Sequence, residues 1–433
     1  MTELVGATAT GRAAGAPPGP APGSRQGDWP RGSIETRESW VAAVIVLSLL
    51  SISYGSPLLA VVGLKPITAD LGATREMVAL AGASTWLGTG LGGIVMGQVA
   101  ERHGVRVTVI FGAVMIALGL VISASGNLWT LLVGHALFVG FLGNGALYPP
   151  LLVYVSRWFD RRRGIALGII SSGQYVAGML WPTLFEHSMA VYGWRDTMIG
   201  FAAILVATVP VVALFLRQPP AAAAFEGGAS GQRHSVFGMH PNLVLGLLCA
   251  AGFCCCIPMS IPQGHLVAFC SDIGIAAAQG ALMLSVLQGS AFASRVFWGL
   301  LSDRIGGLRT VFLASSCQAL TIAAFMATRN EGGLFAISAA YGAGFSGIIP
   351  AYIMAIRELF PSREAAWRVP SLLFVSMGGM AFGSWFAGAL YDHFGYYGPA
   401  FLVGVLFNLA NLVLVGFLVL CQRSAGGVRP VLA

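Results

Sequence analysis

Runs of about 20 mostly apolar residues recur along almost the whole chain, and a helical run of that length crosses a hydrocarbon layer of about 30 Å. Twelve can be marked: Trp40–Val62, Met77–Ala100, Val107–Ser123, Leu128–Val155, Gly164–Met189, Arg195–Leu216, Pro241–Ala268, Gln279–Leu301, Leu308–Ala327, Gly332–Ile356, Val369–Tyr391 and Pro399–Cys421. A polar stretch rich in Pro, Ala and Gly, 217–240, separates the first six from the last six. Only 9% of the 433 residues are Asp, Glu, Lys or Arg, against about 25% in a soluble domain. A soluble multidomain enzyme is therefore a poor reading, and an all-α polytopic membrane protein the natural one.

The formal net charge is +7, which could signal nucleic-acid binding if the basic residues clustered. They are scattered through short loops between the runs, where they act as topology signals. The seven cysteines include Cys249, Cys254, Cys255, Cys256 and Cys270 in or beside one run, with no spacing that suggests a disulfide framework. Residues 1–38 contain APPGPAPG and no long apolar run. A disordered cytosolic tail is expected there, not a cleavable signal peptide.

The two sets of six runs resemble each other. GQVAERHGVR at Gly97–Arg106 is echoed by GLLSDRIGGLR at Gly299–Arg309, SRWFDRRRG at Ser156–Gly164 by RELFPSRE at Arg357–Glu364, and YGWRDT at Tyr192–Thr197 by YYGPAF at Tyr396–Phe401. Three matches in order argue for duplication of a six-helix unit, giving halves 39–216 and 241–421, a linker 217–240 and a second tail 422–433. With both termini cytosolic, the loop and tail arginines fall on the cytosolic side except Arg75, Arg195 and Arg329, which join Lys65 outside. That bias follows the positive-inside rule and supports twelve spans, since losing one would invert every later loop.

The loop between the second and third runs, with Gly97, Glu101, Arg102, Gly104 and Arg106, and its repeat, with Gly299, Asp303, Arg304, Gly306 and Arg309, resembles the signature loop of the major facilitator superfamily. Glu101 stands where Asp is more usual. The resemblance implies twelve transmembrane helices in two pseudo-symmetric halves. An acid at one helix end and an arginine on a neighbouring loop can pair across helices and hold a cytosolic gate, while glycines permit close packing; setting topology alone is the plainer role.

LKPITADLG at Leu64–Gly72 and ASRVFWGLLSDRIG at Ala293–Gly306 look more narrowly like the monocarboxylate and oxalate/formate porter branch. In that branch the eighth-span arginine pairs with the substrate carboxylate, which implies this role for Arg295. Two departures put proton coupling and dicarboxylate binding in doubt. Ala291 stands where the mammalian-type porters carry an acid, and Val369–Tyr391 lacks the lysine of the oxalate exchangers.

Arg295 is the one charged residue placed well inside a run. A charge there costs about 2.5–3.5 kcal/mol on insertion scales. Two readings stand open: the guanidinium snorkels toward the cytosolic interface, or it binds an anion through its planar fork. Other candidates lie on the first, fourth, fifth, seventh, eighth, tenth and eleventh runs, the cavity helices of the fold: Tyr54, Asn144, Tyr148, Gln174, Tyr175, Gln263, His265, Gln288, Tyr341, Ser376 and Trp385. Each is either a ligand or interhelical glue, and Pro-interrupted helices such as Ile257–Pro262 favour their neighbours as site residues. His135, Glu186, His187 and His265 are the titratable groups nearest the runs; the last three lie toward the outer ends, where water would satisfy them.

Cys254–Cys256 raise a metal reading, since sulfur suits copper(I). Adjacent helical residues point about 100° apart and cannot all reach one ion, so no metal or cofactor is expected. No Gly-x-x-x-x-Gly-Lys loop, HExxH or GxSxG motif is present, which argues against an ATP-driven pump or a hydrolase. The expected function is alternating-access transport of a small organic anion, favoured as a monocarboxylate, with a proton or counter-anion as coupling partner. The expected protein is a monomer in the plasma membrane, or the inner membrane if bacterial. A neutral or cationic cargo, including drug export, and a non-translocating membrane sensor are the alternatives.

Overall fold

The computed structural model describes residues 34–159, 162–219 and 235–424. The expected tails, apart from their helix-bordering residues, and most of the expected linker lie outside these. Twelve helical segments follow one another: α1 (Arg37–Val62), α2 (Arg75–His103), α3 (Val105–Ala124), α4 (Leu128–Ser156), α5 (165–192), α6 (194–213), α7 (Pro241–Asp272), α8 (Ala277–Ile305), α9 (Gly307–Ala327), α10 (Glu331–Leu359), α11 (Arg363–Phe394) and α12 (Gly398–Ser424). A short helix, Leu64–Leu71, follows α1. Among the described residues there is no β-strand, only an isolated bridge between Val236 and Met239.

By length and apolarity, 10 stretches among the described residues qualify as membrane spans, with Ile165–Ala213 counted as one. Gly193, at φ 84° and ψ 166°, breaks that stretch into α5 and α6. α8 is 29 residues long and falls outside the set, because Gln279, Gln288 and Arg295 interrupt its apolar run. This helix also carries Arg295, the candidate anion ligand.

The helices alternate in direction, so the bundle has two ends. The linker end holds the start of α1, the end of α12 and both edges of the central connection; there Arg106 donates to the Leu216 carbonyl at 2.6 Å and Arg368 to the Asn242 side chain at 3.1 Å. The opposite, distal end holds the α1–α2, α7–α8 and α11–α12 connections. At the linker end, Gly104 alone joins α2 to α3 and Gly306 alone joins α8 to α9, at φ 86°, ψ 150° and φ 86°, ψ 160°. Only glycine adopts such angles readily. The two signature loops thus repeat in backbone conformation as well as in sequence.

Prolines interrupt three helices next to the centre. Pro57 has no N–H for the Ser53 carbonyl, which instead accepts the Ser56 hydroxyl at 2.6 Å, and α1 breaks at Tyr54. Within α4, residues Gly134–Asn144 adopt the wider π-helical turn, just before Pro149 and Pro150. On α7, Pro262 frees the Pro258 carbonyl, which accepts the Tyr341 hydroxyl at 2.8 Å.

Small residues bring backbones together. A Cβ on Gly92 would lie 2.0 Å from the Phe141 carbonyl oxygen of α4, and one on Gly342 of α10 would lie 1.9 Å from that of Leu287 on α8. Without a hydrophobic drive between helices in lipid, such close approach supplies the packing energy. Large apolar side chains such as Val296, Leu320 and Val413 remain exposed on the outside of the bundle, as lipid contact requires.

Candidate functional site

A cavity of about 60 Å³ lies between the first six and last six helices. From the first half it is lined by Tyr54, Pro57, Leu58 and Val61 on α1, by Gly82, Thr85, Trp86 and Thr89 on α2, by Asn144 on α4 and by Gln174 on α5. From the second half come Ser260, Gln263 and Gly264 on α7, Gln288 on α8, and Met380 and Ser384 on α11. No charged side chain is in this lining. It is a chamber of amides, hydroxyls and apolar groups.

The local folding explains the placement. The break at Tyr54 turns its ring inward, where it meets Tyr148 edge to face at 5.6 Å. The π-helical stretch ends on Asn144, 1% exposed, whose amide oxygen and nitrogen both lack a hydrogen-bond partner. Gly178 on α5 lets Gln288 approach across the halves, since a Cβ there would sit 2.5 Å from Gln288 Cγ. Gln288 Nε2 donates to Gln263 Oε1 at 3.3 Å, and Gln263 Nε2 to the Met259 carbonyl at 2.9 Å.

One layer toward the linker end stands Arg295. Its Nη2 donates to the Ser171 hydroxyl of α5 at 2.9 Å, its Cζ lies 5.0 Å from the centre of the Tyr175 ring, and its Nε is buried without a partner. Ser171 sits where α5 is interrupted, so the same irregularity that frees local backbone offers its hydroxyl across the halves. None of the ion pairs among the described residues includes Arg295.

A cross-half polar network bridges the distal end. Arg75 pairs with Asp272 through both terminal nitrogens, Nη2 at 2.8 Å, and donates to the Tyr397 hydroxyl at 3.0 Å. Lys65 reaches Asp272 at 3.0 Å and Ser271 at 2.8 Å. The backbone N–H groups of Arg75 and Glu76, at the start of α2, donate to Asp392 at 3.1 and 2.7 Å, and Trp385 Nε1 donates to Glu76 at 3.1 Å. Burial pushes the Tyr397 hydroxyl, in the turn before α12, well above the usual phenol range, so it stays neutral. It faces His265 Nδ1 at 3.0 Å, while His265 Nε2 faces the Ser384 carbonyl at 2.7 Å. A continuous chain therefore runs from Asp272 to the cavity wall at Ser384.

Of the sequence-derived candidates, Tyr54, Asn144, Gln174, Gln263 and Gln288 line the cavity, and Arg295, Tyr148 and Tyr175 form the adjoining layer. The others lie elsewhere. Tyr341 is a fully buried strut that satisfies the carbonyl left by Pro262, and α10 contributes nothing to the lining. Ser376 packs against Gly252 of α7, and Trp385 belongs to the distal seal. His265, expected at a watery outer end, is 1% exposed. The α2 residues Thr85, Trp86 and Thr89 were not anticipated; small and aromatic residues at helical spacing look like packing in a sequence.

At the linker end, Glu101 pairs with Arg157, the residue that follows α4, at 3.7 Å on the surface of the first half. The contact ties α2 to α4 within one half. Arg102, Gly104, Asp303, Arg304 and Arg309 are exposed, Gly97 and Gly306 partly so, and Glu358 accepts the Gly307 N–H at 3.1 Å in the second copy.

A bundle of this kind, with a polar chamber between two six-helix halves, is the architecture of a membrane transporter. The family model described as Major Facilitator Superfamily matches residues 41–366 and 248–430. The chain belongs to the Major Facilitator Superfamily. Among its relatives, the MFS-type transporter pynF of Aspergillus niger is 28% identical over 71% of each chain. Monocarboxylate transporter 13 of Bos taurus is 27% identical over 74% of this chain and 75% of its own. Among solved structures, the inward-facing, unoccupied bacterial homologue of the human lysosomal transporter Spinster has a TM-score of 0.66 at 16% identity, covering 90% of this chain and 98% of its own. A variant of the nucleoside transporter NupG has 0.68 at 14%, covering 88% and 99%. These two likenesses show the fold.

Proposed function

We propose that this chain is a secondary active transporter, working by alternating access, for a small organic anion of the monocarboxylate class. The observation that carries the reading is Arg295. A guanidinium on a spanning helix, with its Nε buried and unpaired and only a hydroxyl and an aromatic face for company, lacks a counter-charge, and a substrate carboxylate supplies one through charge-assisted hydrogen bonds. The relative named as a monocarboxylate transporter supports that cargo class.

The arginine bias supports a cytosolic linker end, in the plasma membrane or in a bacterial inner membrane. In that orientation the Arg75–Asp272 seal closes the outer face and cargo reaches Arg295 from the cytosol. The signature loops, with Glu101 to Arg157 and the hinge glycines Gly104 and Gly306, then brace each half as the halves rock. A second reading, a neutral cargo, is favoured by one observation: no charged residue lines the chamber itself.

The test is uptake of labelled acetate, lactate, oxalate and glycerol into proteoliposomes, with and without a pH gradient, for wild type, Arg295→Ala and Arg295→Lys. Lactate uptake lost in Arg295→Ala and partly kept in Arg295→Lys is the expected result. Carboxylate uptake unchanged by Arg295→Ala overturns it, and flux of glycerol alone favours the neutral cargo.

A further inference from the structure

We infer that the cargo is a carboxylic acid whose far end carries a hydroxyl or amide group, read by Asn144 and Gln288. The inference rests on the carboxylate reading of Arg295 and names what lies at the other end of the same molecule. Gln263 Nε2 is committed to the Met259 carbonyl, so its Oε1 is an acceptor, and the facing atom of Gln288 must be its Nε2. That fixes Gln288 Oε1 as the atom left over. It is buried and has no partner, and neither has either polar atom of Asn144.

Both residues line the same cavity, and each buried unsatisfied group costs about 1–3 kcal/mol. A free acceptor on Gln288 needs a donor, and the Asn144 amide offers both a donor and an acceptor. An ionised carboxylate only accepts. A hydroxyl or primary amide does both, whereas a second carboxylate would face Gln288 Oε1 with no cation in the lining.

The spacing sets the length. Asn144 precedes Tyr148 by one turn of α4, and Gln288 precedes Arg295 by two turns of α8, which is roughly 6 and 10 Å along the axes at 1.5 Å per residue. About five to eight bonds bridge that span at roughly 1.2 Å of extended chain per bond, a length that a six-carbon acid with a terminal hydroxyl supplies. The cavity of about 60 Å³ holds the terminal polar group, since a water occupies about 30 Å³.

The experiment compares uptake of labelled hexanoate, 6-hydroxyhexanoate, hexanedioate and hexane-1,6-diol into proteoliposomes of the full chain. Wild type is expected to take up 6-hydroxyhexanoate at least about tenfold faster at low concentration than hexanoate, as for a site built to bond a hydroxyl, and to take up hexanedioate no better than hexanoate. Gln288→Met and Asn144→Leu should each bring the hydroxy-to-alkyl uptake ratio toward one, with thermal unfolding in detergent showing that both variants fold. A wild-type ratio near one, a preference for hexanedioate, or a ratio that both variants leave unchanged overturns the inference. Arg295→Gln separates the two readings. If it abolishes uptake of both acids, the carboxylate anchor stands whatever the ratio; if both acids and the diol still enter with the hydroxyl preference intact, the anchor falls and the Asn144–Gln288 reading stands. Wild-type uptake of neither acid overturns both.

Discussion

Arg75, at the start of α2, grips both carboxylate oxygens of Asp272, at the end of α7, and so joins the two halves across the distal end of the bundle. The two residues lie 197 apart in sequence, and their side chains are 9% and 18% exposed. Lys65 on the short helix after α1 adds to the same carboxylate. A mostly buried pair of this kind contributes when intact and penalises the state that loses one partner.

Removing that carboxylate should therefore favour opening at the distal end. Asp272→Asn leaves Arg75 with a neutral partner and should shift the balance by about 1.5–3 kcal/mol, roughly 10- to 150-fold. The check uses Val61→Cys, a cavity-lining position, in a protein with its native cysteines replaced, labelled by a membrane-impermeant maleimide from the distal side. Labelling should rise at least about tenfold in Asp272→Asn. An unchanged rate would show that the pair does not hold the seal.

Close helix approach predicts a contrast among glycines. Gly92→Ala and Gly342→Ala place a methyl group 2.0 and 1.9 Å from a neighbouring carbonyl oxygen, an overpacking that costs about 1–3 kcal/mol or more. Gly246→Ala meets nothing within 4 Å and lies inside α7, where alanine is the better helix former by about 1 kcal/mol. Thermal unfolding in detergent should fall for the first two and hold or rise for the third.

The hinge glycines should respond as a pair. Gly104 and Gly306 share φ 86°, in a region that costs a non-glycine residue about 1–3 kcal/mol. Gly104→Ala and Gly306→Ala should destabilise by similar amounts in the same assay. A large effect in one alone would mean that the duplicated loops do different structural work.

These residues show where sequence reading reached and where it stopped. The helices were legible because lipid demands a long apolar run for each, and α8 was legible despite Gln288 and Arg295 because its signature loop marked its end. The site was half legible. Asn144, Gln174 and Gln288 are polar residues in apolar runs, which the membrane penalises and so makes conspicuous. Tyr341 was equally conspicuous, yet its hydroxyl serves a carbonyl exposed by Pro262, a three-dimensional debt invisible in one dimension. The distal seal was hidden for the opposite reason: Arg75, Asp272 and Asp392 sit at helix ends, where charges are ordinary, and their partnership depends on how the halves meet.

The central claim is that Arg295 holds the carboxylate of the cargo. The most direct measurement is the affinity of a transported carboxylate for the purified protein, wild type against Arg295→Gln, with Gly246→Ala, which meets nothing within 4 Å, as a control outside the site. Losing a charge-assisted pair should weaken binding by about 10- to 150-fold in Arg295→Gln. Equal affinities for wild type and Arg295→Gln would contradict it.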